Sequence, residues 1–144
     1  MTWRRVMVAL LVIAGAIWGY GVLGGGTPGP VELAGTGARY AIGVALDRAR
    51  PGPVEIKITA TTAKEPVTTA KEPVTPAAVA EVSVFAVMPH MGHITTEIPA
   101  RRERPGRFVA RGELFTMAGV WEIAVRVDGP SGTEVIRVNT LVGE

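Results

Sequence analysis

The chain has 144 residues, a formal net charge of +2 from 15 Lys and Arg against 13 Asp and Glu, and no cysteine. That length leaves room for one modest domain, and the lack of cysteine excludes disulfides, thiolate metal sites and lipid attachment at a cysteine. The excess positive charge belongs to Arg4, Arg5 and the cluster Arg101-Arg102-Glu103-Arg104, not to a continuous basic face, and no RNP-like aromatic pattern or basic helix accompanies it, so nucleic acid is not expected as a partner.

The first 26 residues differ in kind from the rest. Val6 to Leu23 is an uncharged apolar run, preceded by Arg4 and Arg5 and followed by Gly24-Gly25-Gly26. As a helix its eighteen residues would extend about 27 Å, close to the thickness of a hydrocarbon core. Arginines on its N-terminal side predict a cytoplasmic N-terminus, so everything from Thr27 onward is expected outside the cytoplasm, either periplasmic or extracellular. The run reads as an uncleaved single-pass anchor in the cell membrane. A cleaved signal peptide is the alternative, although no clear A-x-A site follows. Residues 27–38 read as a spacer, with residues 39–144 forming the domain.

Within the domain, Arg39 to Leu46 alternates with period two, placing Tyr40, Ile42, Val44 and Leu46 on one face. Pro51-Gly52-Pro53 marks a turn, after which Val54, Ile56 and Ile58 continue the alternation. Residues 61–67, TTAKEPV, recur unchanged at 68–74. Each copy holds a proline and lacks an a/d apolar pair, so the repeat reads as an extended loop over 61–79, not a coiled coil. Ala80 to Met88 alternates again, with Val82, Val84, Ala86 and Met88 on one face. Ile94 to Pro99 is a short extended piece, and Arg101 to Gly106 reads as a charged turn. Arg107 to Leu114 resumes as strand, Thr116 to Gly119 as turn, and Trp121, Ile123, Val125 and Val127 share a further apolar face. Asp128-Gly129-Pro130-Ser131-Gly132 is a hairpin signal leading into Glu134 to Leu141. About seven short strands without helical crossovers predict an all-β fold, an antiparallel sandwich of immunoglobulin-like type with Trp121 in its core.

The chemistry concentrates in one place. Met88-Pro89-His90-Met91-Gly92-His93 holds both histidines and two of the five methionines, and Met117 precedes a later strand. Thioether sulfur suits Cu(I), and imidazole suits copper in either oxidation state, so the candidate metal ligands are Met91, His93, Met117, His90 and Met88 and the candidate metal is copper. Against this, Met88 continues the apolar face of Val82, Val84 and Ala86 and reads as core before it reads as ligand, the weakest of the five, and Met117 equally reads as a plug over Trp121. His90 and His93 equally read as solvated loop residues. Catalysis is not expected. Both histidines occupy one short loop, and neither Ser83 nor Ser131, the only serines, has a G-x-S-x-G context.

These residues resemble a known family, the YtkA-like domains related to FixH-type membrane proteins. Its pattern of M-P-x-M-G-H, then G-x-Y/F-x-A, then F-x-M-x-G-x-W-E is matched by Met88 to His93, Gly106 to Ala110 and Phe115 to Glu122, and Lys71 to Ala77 is similar to the approach to the first motif. The resemblance covers about Arg39 to Val127. It implies a small extracytoplasmic β-sandwich associated with copper or other metal handling, while the duplicated heptapeptide is extra and His90 fills a variable position of the motif. The reading that follows is a membrane-anchored module for capture or delivery of copper to a membrane partner such as a pump or oxidase. A metal-free module that docks on such a partner through the Met-rich loop is the alternative.

Overall fold

The computed structural model describes residues 29–63 and 79–144. The expected membrane anchor and the duplicated heptapeptide, apart from its first residues, lie outside the described residues. Among those described, no helix is long and apolar enough to cross a membrane.

The described residues form nine strands: β1 (Val31–Thr36), β2 (Tyr40–Leu46), β3 (Gly52–Thr62), β4 (Glu81–Met88), β5 (His93–Ile94), β6 (Ile98–Arg104), β7 (Arg107–Phe115), β8 (Gly119–Gly129) and β9 (Gly132–Val142). All pairings are antiparallel. The sheet runs in the order β1-β2-β3-β7-β6-β4-β8-β9, with β5 added to β4. The alternation of β2 is realised in full: Tyr40, Ile42, Val44 and Leu46 are buried and the residues between them half-buried. In β4, Val82, Val84, Ala86 and Met88 face inward, as the period-two pattern requires. Trp121, Ile123, Val125 and Val127 of β8 meet them in one core with Ile56, Ile58, Phe108 and Phe115. Burial of this apolar area is the main stabilising term.

Three expectations are corrected. The sheet is one continuous curled path, barrel-like, where two separate sheets of about seven strands were expected. The joint is β6, whose first half pairs with β4 at Val82↔Ala100 and whose second half pairs with β7 at Arg102↔Phe108. Consequently Arg101 to Arg104, expected in a turn, is strand, and only Pro105-Gly106 turns, with Gly106 at φ 74. Lastly, the stretch expected as spacer contributes β1, which pairs along its length with β2 from Val31↔Leu46 to Thr36↔Ala41. Val31 and Leu33 pack against the core from this edge, and Gly35 brings β1 against β9: a Cβ there would sit 2.8 Å from Val138 Cγ1 and 2.9 Å from Ile136 Cγ2.

Register fixes which loops share an end. Val31 lies opposite Leu46, Gly52 opposite Phe115 and Gly119 opposite Val142. Val87, one residue before the end of β4, lies opposite Glu122 near the start of β8. One end of the sheet therefore carries the start of β1, the 47–51 loop, the 89–92 turn, the 116–118 turn and the C-terminal residues. The opposite end carries the 37–39 and 130–131 turns and the two stubs, Ala63 and Val79, that flank the duplicated loop.

Candidate metal site

The Met/His segment folds as the chemistry of its proline and glycine dictates. Pro89 has no N–H to give a ladder, so β4 stops at Met88 and Pro89 opens a 3-10 turn over Pro89–Met91. Gly92 then takes the left-handed conformation, φ 62 and ψ 21, and its N–H donates to Pro89 O at 3.3 Å. The chain reverses, and His93 and Ile94 pair back on Met88 and Val87. Thr95 fastens the reversal: its N–H donates to Ala86 O at 2.9 Å and its Oγ1 accepts the Ala86 N–H at 2.9 Å.

The second motif closes over the first. Phe115 is buried and its ring lies 5.7 Å from that of Trp121. The Trp121 indole, fully buried, donates from Nε1 to Met117 O at 2.9 Å, which pins the 116–118 turn to the core. Gly119 has φ 139, and a Cβ there would lie 3.1 Å from Met88 Cε, so the Met88 side chain runs directly beneath this turn. The His93 ring stands edge-on to Trp121, centroids 5.9 Å apart at 77°. Its Nε2 lies 3.4 Å from Thr116 Oγ1.

The two loops thus meet, which spacing along the chain could not establish. The five candidate ligands separate into groups. Met88 is only 5% exposed and belongs to the core. Met91 is 64% exposed and Met117 38% exposed. The Met117 carbonyl accepts the Trp121 indole N–H. His93 is exposed beside Thr116, and His90 is exposed on the 3-10 turn. Sequence reasoning passed over Thr95, and placed Thr116 and Gly119 in a turn without their contacts to His93 and Met88. The F-x-M-x-G-x-W spacing was the available signal for Gly119. A shallow cleft runs from His93 past Thr95, Thr96 and Ile98 to Glu113 and Thr116. Among the described residues, no three His, Asp or Glu side chains gather as a metal site.

The YtkA-like family model matches residues 40–126, more than half of the chain. The chain belongs to the YtkA-like family. In this YtkA-like domain the family motifs coincide with the contacts just described, Met88 against Gly119 and His93 against Trp121. No curated protein matches the sequence. Among solved structures, the copper-reconstituted P19 protein of Campylobacter jejuni is similar over 83% of this chain and 100% of its own, with 10% sequence identity and a TM-score of 0.44.

Proposed function

We propose that this YtkA-like domain is a non-enzymatic, extracytoplasmic copper-binding module, held to the membrane by its N-terminal apolar segment, which takes up Cu(I) and passes it to a membrane partner such as a pump or an oxidase. The observation that carries the reading is the convergence of the two loops, which puts the exposed thioethers of Met91 and Met117 on loops joined through His93 and Thr116. Two soft sulfurs and one imidazole suit Cu(I) and are a poor set for zinc, magnesium or calcium. Met91, His93 and Met117 would hold the ion. His90, exposed on the turn, is an additional donor within the same loop, while Met88 supports the loop from below. Cu(II) is accommodated through imidazole in the same proposal. The ion is cargo, and an exposed loop site favours exchange over retention.

The test is a double variant, Met91→Ala with His93→Ala. Met91 is exposed, whereas His93 packs edge-on to Trp121 beside Thr116, so the expected result is a small fall in urea midpoint with the fold retained and loss of Cu(I) binding. Undiminished affinity in the double variant would assign the ion to another place.

A further inference from the structure

Large apolar side chains that remain exposed are concentrated at one end of the molecule. Among the described residues, five of the six, Met91, Ile94, Met117, Val120 and Leu141, belong to the end that carries the Met/His turn, and Val135 alone lies elsewhere. Leu141 is 71% exposed and Ile94 64% exposed. Register puts them in a band: Ile94 pairs with Val87, and Val120 pairs with Leu141 one step nearer the rim, both pairs on the outer face because Met88, Trp121 and Thr140 point inward. Such a band on a small domain marks a surface that is covered by something.

The path of the chain indicates what covers it. β1 begins at this same rim, since Val31 lies opposite Leu46 and the 47–51 loop is bonded to the C-terminal segment by Gly143 N–H to Ala49 O at 3.0 Å. In the sequence the apolar run ends at Leu23, eight residue steps before Val31. Those steps reach at most about 29 Å when fully extended, and less in any other conformation. On the neighbouring loop at this rim Arg50 is exposed, and Arg48 is exposed beside Asp47, with which it pairs at 3.1 Å. Arginine beside an apolar band is the composition that suits the boundary between acyl chains and anionic headgroups.

We propose that this end of the domain rests on the surface of the bilayer in which its own N-terminal segment is anchored, with Met91, Ile94, Met117, Val120 and Leu141 at the headgroup level. The proposal rests on the anchor reading given above. It has a consequence for the copper site, which then opens toward the membrane surface, while Ala63 and Val79 lie at the end turned away from it.

The absence of cysteine makes single labels selective. Ile94→Cys and Leu141→Cys, against Ser131→Cys in the turn at the opposite end, each carry a nitroxide in the full chain reconstituted into vesicles of phosphatidylcholine and phosphatidylglycerol. Collision with lipid-soluble oxygen and with a water-soluble nickel chelate is measured at each site. The expected result is several-fold greater oxygen than nickel accessibility at 94 and 141, with the reverse at 131. Equal nickel accessibility at all three positions, in chains that stay with the vesicles through an alkaline carbonate wash, overturns the surface contact and leaves the anchor standing. Chains released by the wash overturn the anchor reading and this proposal with it.

Discussion

The two ends of the sheet differ in which side chains they use to hold the backbone. At the end far from the Met/His turn, side chains are spent on holding backbone. The Glu134 carboxylate accepts the N–H groups of Ala38 at 2.6 Å, Arg39 at 3.0 Å and Tyr40 at 3.0 Å. The Tyr40 hydroxyl donates to Gly132 O at 3.2 Å, Thr133 donates to Asp128, and the Arg102 guanidinium donates to Val79 O while lying 5.7 Å from the Phe108 ring centroid. At the Met/His end the framework is held by buried Trp121, Phe115 and Met88 and by Thr95 and Asp47, which accept the Ala86 and Glu55 N–H groups, while Met91, Met117 and His90 are exposed. A frame that does not use those exposed atoms leaves them available to a ligand. That separation between support and donor is what a binding loop on a rigid sheet requires.

Removing the support should have the largest effect. Trp121→Ala deletes a fully buried indole and the bond that pins the 116–118 turn, and is expected to cost about 3–5 kcal/mol in urea unfolding. A loss under about 1 kcal/mol would mean that the two motifs are not tied through this residue. Next comes Gly35→Val, which drives a side chain into Val138 and Ile136 where β1 meets β9; the expected loss is about 1–3 kcal/mol, measured the same way. A neutral outcome would show that β1 is not held against β9.

The smaller effects separate donor from support more finely. Met88→Leu keeps volume in the core and should cost less than about 1.5 kcal/mol while leaving Cu(I) affinity intact, whereas Met91→Leu should leave stability unchanged and weaken Cu(I) binding. A parallel loss of affinity in both variants would erase the distinction between them. At the far end, Glu134→Gln should cost about 1 kcal/mol near neutral pH, a value discounted for partial exposure. Desolvation pushes the Glu134 carboxyl up, but the N–H bonds from Arg39, Tyr40 and Ala38 and the Arg39 charge outweigh it, so its pKa is lowered from the ordinary 4.5. A lowered folded pKa means that the stabilisation is present above 4.5 and is lost as pH falls through the folded value. The variant should therefore differ from the parent near neutral pH and converge with it in acid, as followed by thermal unfolding across that range.

How much of this was legible in the sequence follows from which contacts are local. Strands β2, β4, β8 and β9 announce themselves because each buries one face, and alternation reports that directly. The hairpin at Asp128 to Gly132 was equally readable from its turn residues, and Gly129 lies opposite Gly132 as expected. β1 was missed because its inward positions are Val31, Leu33 and Gly35, all half-buried, and the last has no side chain to show a pattern. β6 was missed because it changes partners midway and leaves Arg101 to Arg104 exposed, so neither face is apolar. The continuity of the sheet depends on that change of partner, which no local pattern encodes. Of the site, the donor types were plain from Met88 to His93 and Met117. Their division into buried support and exposed donors depended on the β4–β8 register, which places Met88 beneath Gly119 and His93 beside Thr116.

The central claim is that the exposed thioethers and imidazole at this end bind Cu(I). The measurement that tests it most directly is an oxygen-free competition titration of the full chain in detergent against a chromophoric Cu(I) chelator. The account predicts withdrawal of one Cu(I) per chain from the chelator with sub-nanomolar affinity. Failure to compete at micromolar protein would contradict it and leave the Met/His turn as a packing and docking element alone.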